Sequence, residues 1–194
     1  MRIVERRIFF GSNTPDGFVG WFDGIVDNYG LRKLYILKGG SGVGKATFIG
    51  GFANAFIEKA RAENACLTVE YLMCSADPTS LDGVILHEFG IAMIDGTHPH
   101  IVDPKYPGII DEIVDLGQFI GQISATQEEL FEIKQKRKEC FARAFEELER
   151  ARVLHMQIED RYRAVMDWDG INKLLAQLIS IENERVDRAR GAGV

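Results

Sequence analysis

Over the first 120 residues, short apolar runs alternate with segments in which apolar residues recur every three or four positions. The short runs are rich in β-branched and aromatic residues and predict strands, whereas the helically spaced segments predict helices. The predicted strands cover residues 7–11, 33–38 and 67–74. The predicted helices cover residues 18–29, which Gly30 can terminate, and residues 46–62. A strand, a helix and a second strand in this order indicate a βαβ unit of a parallel sheet.

Two further apolar runs add candidate strands, at Leu81–Leu86 and at Ile91–Ile94. The count is then four or five, which is few for a complete three-layer sheet. Residues 103–108 are rich in proline and turn formers and predict a stiff turn. Acidic residues at 111, 112 and 115 then interleave with apolar residues at 113, 114 and 116, which predicts a short acidic helix.

The pattern changes after residue 123. No proline or glycine occurs between Ile123 and Met166, and mostly apolar residues recur there in steps of three and four. This predicts a helix of roughly 55–60 Å, with a capping box beginning at Ser124. A turn at 167–170 precedes a second apolar stripe, which indicates an antiparallel helical hairpin.

These patterns divide the chain into three parts. Residues 1–122 form the predicted α/β core, residues 123–190 the helical hairpin, and residues 191–194 a frayed tail. The predicted fold class is therefore α/β, with helices on both faces of a parallel sheet in three layers and a long C-terminal helical hairpin.

Composition narrows the classes of partner. The 194 residues carry a net charge of −6, so the chain has no general electrostatic attraction for nucleic acid, and an anion site must be local. Three cysteines without paired spacing fit a reducing compartment. Charged residues interrupt the early apolar positions, and no apolar run approaches the length of a membrane span. We therefore expect a cytoplasmic protein that binds neither nucleic acid nor membranes.

The most informative stretch lies between the predicted strand 33–38 and the predicted helix 46–62. It reads Gly-Gly-Ser-Gly-Val-Gly-Lys, residues 39–45, and we call it the glycine loop. Glycines let the backbone wrap round a phosphate with its N–H groups inward, and the following helix start adds a partial positive charge. The candidate nucleotide-binding residues are Gly39, Gly40, Ser41, Gly42, Val43, Gly44, Lys45, Ala46 and Thr47. The stretch therefore predicts a phosphate-binding P-loop, in which Lys45 contacts the terminal phosphates.

One position departs from that motif. Ala46 stands where a complete P-loop has a serine or threonine whose hydroxyl binds Mg²⁺. Thr47 comes one position later, about 100° round a helix, and is not expected to point to the same place. Because Mg²⁺ often keeps several waters, a water can substitute for the hydroxyl. We therefore expect phosphate binding, with weak or conditional hydrolysis.

Asp95 ends the apolar run 91–94, and an aspartate in this context is typical of the second nucleotide motif. Its carboxylate would lie at the carboxyl end of a strand beside the glycine loop and hold Mg²⁺ through water. Lys45 and Asp95 are therefore the candidate catalytic residues. The sequence does not identify a general base, for which Glu88 and Asp77 are guesses.

Other residues admit more than one interpretation. His98 and His100, with Asp95 and Asp103 nearby, could ligate a transition metal, but prolines in this stretch favour an ordinary polar loop. The aromatic residues of segment 18–26 are expected in the core, and a base-stacking role is the alternative. A serine hydrolase built on Ser41 is excluded, because the nucleophile elbow requires glycine at position 43.

Three strings of residues go beyond general patterns. They are the glycine loop, Cys-Ser-Ala-Asp-Pro-Thr-Ser-Leu-Asp-Gly-Val at 74–84, and Asp-Gly-Thr-His-Pro-His-Ile-Val-Asp-Pro-Lys-Tyr-Pro-Gly at 95–108. They resemble a family of largely uncharacterised bacterial P-loop ATPase-like proteins, common in spore-forming Firmicutes, that typically hold two P-loop units in tandem. The resemblance covers most of residues 7–120 and implies a nucleotide-binding fold and ATP binding. This chain departs from it at Ala46 and in holding one unit.

The leading expectation is an ATP-binding protein that uses Mg²⁺ and hydrolyses ATP weakly or conditionally. A non-catalytic module, in which nucleotide sets the position of the hairpin against a second copy or another protein, is one alternative. A small kinase that transfers phosphate to a metabolite is another, although no compact arginine-bearing lid is evident.

Overall fold

The computed structural model describes residues 2–191, and its centre is a six-stranded sheet. The strands of this sheet are β1 (Ile3–Phe9), β4 (Lys33–Lys38), β5 (Leu67–Met73), β6 (Leu81–Leu86), β7 (Ile91–Asp95) and β8 (Asp111–Asp115). A separate hairpin consists of β2 (Gly11–Thr14) and β3 (Gly17–Gly20). The helices are α1 (Ile25–Tyr29), α2 (Lys45–Ala62), α3 (Gln127–Arg163) and α4 (Trp168–Gly191). The fold class is α/β, as predicted.

The strand order across the sheet is β1-β5-β6-β7-β4-β8. All neighbouring pairs are parallel except those that β6 makes with β5 and β7. The expectation of a wholly parallel sheet is therefore wrong at one strand. The predicted βαβ unit is present, because β4 and β5 run in the same direction and α2 connects them, but β6 and β7 lie between them in the sheet.

Alternating side chains of the strands fill two cores, one on each face of the sheet. In β4, Leu34 and Ile36 point into one core and Leu37 into the other. Buried residues of α2 (Ile49, Ala53, Ile57 and Ala60) cover the Leu37 side. Phe22, Ile25 and Val26, around α1, cover the opposite side. The expected three layers are thus present.

The segment 18–29 is less helical than predicted. Phe18 lies in β3, a turn of 3₁₀ helix covers Phe22–Gly24, and only Ile25–Tyr29 is α-helical. Glycines at 17, 20 and 24 interrupt the helical pattern, because glycine disfavours a helix interior. Gly30 does end the helix, in the left-handed conformation. Phe22 is buried, as a core residue should be, whereas Trp21 is exposed.

The predicted acidic helix at 111–116 is wrong, because residues 111–115 form strand β8 at the sheet edge beside β4. The main-chain hydrogen bonds to β4 outweigh the weak local preference. Asp111 is buried, and its carboxylate accepts the N–H groups of Lys105 and Tyr106 at 2.5 and 2.8 Å. The acidic residues of β8 thus lie on an edge strand, where charged side chains discourage pairing with strands of other chains.

Helices α3 and α4 confirm the predicted C-terminal helix pair. Thr126 and Glu129 form the capping box of α3, two residues later than predicted, with reciprocal bonds of 2.8 and 3.2 Å. Asp167 caps α4 through the Gly170 N–H at 2.9 Å. No residue between 127 and 190 is buried. No helix in residues 2–191 is long and apolar enough to cross a membrane.

Contacts within the chain define two compact units, 1–149 and 150–194. The first contains the sheet with its covering helices and most of α3, and the second contains the remainder of α3 and α4. The predicted frayed tail falls mainly on residues 192–194, which lie outside the described residues, while α4 extends to Gly191.

Candidate functional site

The glycine loop follows β4 at the carboxyl edge of the sheet. Strands β7 and β8 flank β4 and run parallel to it, so all three end at this edge. Gly96, directly after β7, donates its N–H to the Leu37 carbonyl at 3.0 Å. Ligands of open α/β sheets bind outside the carboxyl ends of the strands. The topology therefore places the loop where such sheets bind ligands.

The backbone of the loop requires its glycines. Gly42 and Gly44 have φ values of 83° and 86°, a left-handed conformation that side chains disfavour. A Cβ at either position, or at Gly40, would meet no atom within 4 Å, so the loop borders open space. No side chain caps α2, and its first turn has no acidic residue. The partial positive charge of the helix start is therefore not neutralised by its own side chains.

Lys45 and Asp95 meet at this loop. The Lys45 ammonium donates to the carbonyls of Gly39 and Gly40 at 3.0 and 2.9 Å and lies 3.5 Å from Asp95 Oδ2. Both side chains are nearly buried, with exposed fractions of 10% and 13%. The other carboxylate oxygen, Oδ1, accepts the Thr97 N–H and hydroxyl at 2.9 and 2.6 Å. The sequence thus anticipated where Asp95 lies, while its part in binding Mg²⁺ stays a prediction.

The two residues after Lys45, Ala46 and Thr47, differ in their exposure to solvent. Ala46 is half-buried and offers no oxygen, whereas Thr47 is exposed on the outward face of α2. Thr47 also lines an open groove with Phe48. The site therefore contains the Asp95 carboxylate that was expected to hold Mg²⁺. It has no hydroxyl group at position 46.

Lys38 is a residue of the site that the sequence analysis missed. Its ammonium donates to the carbonyls of Gly96 and Val102 at 2.7 and 2.9 Å and so ties the end of β4 to the segment after β7. A lysine that ends an apolar strand directly before two glycines was the available signal. Because both contacts are with the backbone, Lys38 positions the loop and the Asp95 segment relative to each other.

A buried ion pair lies behind Asp95. His100 Nε2 is 3.1 Å from Asp82 Oδ2, and His100 Nδ1 is 3.1 Å from the Asp95 carbonyl. Since both ring nitrogens face oxygen acceptors, the protonated imidazolium satisfies both. Burial by itself lowers the pKa of His100, but the hydrogen bond and negative charge of Asp82 outweigh it and raise the pKa above its ordinary value.

That pairing bears on the metal alternative for His98 and His100. The nitrogens of His100 are occupied by Asp82 and by the backbone. Among residues 2–191, no group of three or more histidine, cysteine or acidic side chains is arranged to hold a metal ion. In the described residues, His100 therefore connects Asp82 to the backbone of Asp95.

The guessed general bases lie elsewhere. Glu88 follows β6, and the register of Leu86 with Ile91 places this turn at the edge where β4 and β7 begin, opposite the glycine loop. The suggestion of Glu88 as base is therefore wrong. The connection 87–90 is too short for a parallel crossover and indicates an antiparallel pair, which the prediction of a parallel sheet did not take into account. Asp77 lies in the turn after β5, three strands from β4, and accepts the Thr79 N–H and hydroxyl at 3.0 and 2.6 Å.

Comparison with protein-family models, with curated proteins and with solved structures gave no match. The interpretation of the site therefore depends on the geometry of this chain.

Proposed function

We propose that this chain binds ATP, with the phosphates in the glycine loop and the fold acting as a P-loop nucleotide-binding core. The observation that carries the proposal is the Lys45 ammonium, held over the loop at 3.0 and 2.9 Å from two of its carbonyls and facing Asp95. An ammonium beside left-handed glycines and an uncapped helix start is suited to a polyanion. The resemblance of residues 39–45, 74–84 and 95–108 to P-loop ATPase-like proteins points the same way.

The residues also suit Mg²⁺, though with fewer protein ligands than a complete P-loop provides. Mg²⁺ would neutralise phosphate charge when bound, and it commonly takes one or two carboxylates with waters and substrate phosphates. Asp95 would hold it through water, while Ala46 contributes no hydroxyl. Hydrolysis by this chain is therefore proposed to be weak or conditional on a group supplied from elsewhere.

Calorimetric titration with ATP and Mg²⁺ tests this proposal. Lys45→Ala should weaken ATP binding at least tenfold, because a charge-assisted contact contributes about 1.5–3 kcal/mol. Ala46→Ser should strengthen the dependence of binding on Mg²⁺ and raise steady-state hydrolysis, because it restores the missing hydroxyl. Lys33→Ala is the matched control, since it removes the same charge from the opposite end of β4.

The proposal fails if the parent chain does not bind ATP, or if Lys33→Ala weakens binding as much as Lys45→Ala. If Ala46→Ser leaves Mg²⁺ dependence and hydrolysis unchanged, the missing hydroxyl is not what limits the reaction.

A second candidate function is supported by the exposed apolar residues of α3 and α4. Phe131 and Ile133 on α3, and Leu174 and Leu178 on α4, are each more than half exposed. Such surfaces commonly mark interaction sites. In this candidate, nucleotide binding controls association of the helix pair with a second copy of the chain. Sedimentation velocity with and without ATP tests it, since a sedimentation coefficient unaffected by ATP contradicts nucleotide control.

A further inference from the structure

The outward face of α2 carries an open apolar groove beside the glycine loop. Residues Gly44, Thr47, Phe48, Gly51 and Phe52 line this groove, whose volume is about 570 Å³. Their spacing of three and four residues puts them on one face of the helix. The groove is shallow and largely open to solvent, so it can cover one face of a ligand without enclosing it. We call it the outer groove.

Gly51 has no structural role that packing explains. Close approach of α2 to the sheet would explain a glycine in the interior of this helix. Gly50 is near Leu81, with a Cβ there lying 3.8 Å from its Cδ1, but a Cβ at Gly51 would meet nothing within 4 Å. Glycine inside a helix costs about 1 kcal/mol relative to alanine. No packing contact at Gly51 accounts for this loss of helix stability. The absence of a side chain there leaves the outer groove uncovered.

Two phenylalanines on this face have different surroundings. Phe52 is half-buried and packs against Tyr35 and Phe56, with ring centroids 5.8 and 4.9 Å away. Phe48 is 45% exposed and contributes to the groove without being in either buried core cluster. The groove thus combines a fixed ring with one that presents its surface to solvent.

The outer groove and the glycine loop are continuous, because Gly44 belongs to both. Phe48 lies four residues further along α2, which is about 6 Å along the helix axis. A ribose can bridge a separation of this size between a phosphate in the loop and a base in the groove. We propose that the outer groove binds the purine base of the nucleotide, with the base stacked on Phe48 and passing over Gly51. This inference rests on the proposed nucleotide binding and adds the place and chemistry of base recognition.

Aromatic stacking suits the apolar lining of the groove. A base stacked on an aromatic ring gains affinity whatever its edge groups, because every base has a π-face. Among the five lining residues, Thr47 has the polar side chain, and its hydroxyl can form a hydrogen bond with a base edge or a ribose. The groove therefore selects for an aromatic base more than for one particular purine.

The test compares ATP with tripolyphosphate, which has the phosphates but no base, in calorimetric titrations of the full chain with Mg²⁺. Phe48→Ala should weaken ATP binding roughly tenfold to a hundredfold and leave tripolyphosphate binding unchanged. Phe48→Trp should retain ATP binding, because it keeps an aromatic surface. Phe9→Ala is the control, since Phe9 is 57% exposed on β1 at the far edge of the sheet.

Two substitutions at Gly51 that differ in size test whether the outer groove must stay open for the base. Gly51→Ala adds one methyl group to the groove and should weaken ATP binding less than a larger side chain does. Gly51→Leu fills the groove and should weaken ATP binding without affecting tripolyphosphate. Far-ultraviolet circular dichroism checks that each variant keeps its helices.

Each remaining outcome decides against the inference. If Phe48→Ala weakens both ligands equally, Phe48 supports the loop and does not bind a base. If it weakens neither, or if the parent chain binds tripolyphosphate as tightly as ATP, the groove contributes nothing to nucleotide binding. If the parent chain binds neither ligand, the proposed ATP site fails, and the base site fails with it.

Discussion

At the scale of single residues, Glu88 shows how one side chain secures the end of a strand. Its carboxylate accepts the Thr68 N–H at 2.6 Å and the Thr68 hydroxyl at 2.9 Å, which joins the turn after β6 to the start of β5. Slight burial raises the pKa of Glu88, but the hydrogen bonds from Thr68 outweigh this and lower the pKa below its ordinary value. The ionised carboxylate is therefore the form that the folded state favours.

This arrangement gives a pH-dependent prediction. Because the pKa is lower in the folded state, the stabilisation is present above the unfolded pKa of about 4.3 and is lost as pH falls through the folded pKa. Glu88→Ala should lower the free energy of unfolding by about 1 kcal/mol at pH 7 and by less at pH 3, measured by urea denaturation. Glu146→Ala, at an exposed site on α3, should change it by less than about 0.5 kcal/mol. An equal loss at both pH values would contradict the role of the ionised form.

The glycine loop was predictable at this scale because its signal is local. Seven consecutive residues specify the left-handed positions and the lysine, and the structure has the strand before them and the helix after them. The contacts of Lys38 with Gly96 and Val102, and of His100 with Asp95, were not predictable, because the acceptors are backbone carbonyls. A carbonyl acceptor leaves no trace in the identity of the residue that bears it.

At the scale of elements, the Asp82–His100 pair connects three parts of the carboxyl edge. Asp82 belongs to β6, the carbonyl of Asp95 ends β7, and His100 comes from the following loop. The His100 ring also packs against Phe22 and Phe18, with centroids 5.0 and 5.5 Å away. The pair therefore joins the sheet to the layer that covers it.

Breaking one side of this pair should cost more than removing both. Asp82→Ala leaves a buried imidazole beside an empty position, and we expect a loss of about 3–5 kcal/mol in the free energy of unfolding. The double variant Asp82→Leu with His100→Phe removes the uncompensated charge and should be less destabilised than the single variant. Urea denaturation of the two variants provides the comparison. Equal destabilisation by both would show that the charge pair itself matters little.

A helix or strand was predicted correctly where its own residues showed a clear pattern of apolar and polar positions. The segments 33–38, 46–62 and 67–74 were recovered closely because apolar periodicity and glycine punctuation agree there. Strand β8 was predicted as a helix because its five residues contain three acids, and its strand state comes from pairing with β4, far away in sequence. The antiparallel direction of β6, in contrast, was predictable, because the connections 74–80 and 87–90 are too short for a parallel crossover.

At the scale of the whole molecule, the burial of residues is concentrated before residue 120. All the buried residues of the two core clusters lie between Phe10 and Leu116, and none of residues 127–190 is buried. Helices α3 and α4 therefore depend on their caps and on i,i+4 ion pairs such as Lys136–Glu132 at 2.7 Å. The stability of the sheet should be nearly independent of them.

Truncation tests this division. A chain that ends at residue 125 should unfold cooperatively, with a free energy of unfolding within about 1 kcal/mol of the full chain, because it loses no buried side chain. A chain that ends at residue 110 loses β8 and its pairing with β4, and should be clearly less stable. Thermal and urea denaturation followed by circular dichroism distinguish the two. A large loss on ending at residue 125 would mean that α3 contributes to the core.

The position of the β6–β7 hairpin in the sheet has a consequence for the order in which the chain folds. Its two strands are joined by a short turn, and they occupy the space between β5 and β4. Pairs that are local in sequence close at little entropic cost, whereas β1 must find β5 across 64 residues, as Ile3 pairs with Leu67. The pair of strands at the centre of the sheet thus also loses the least chain entropy when it forms. The sheet is consequently expected to grow outward from this hairpin, and the glycine loop acquires its flanking strands only once that growth reaches β4.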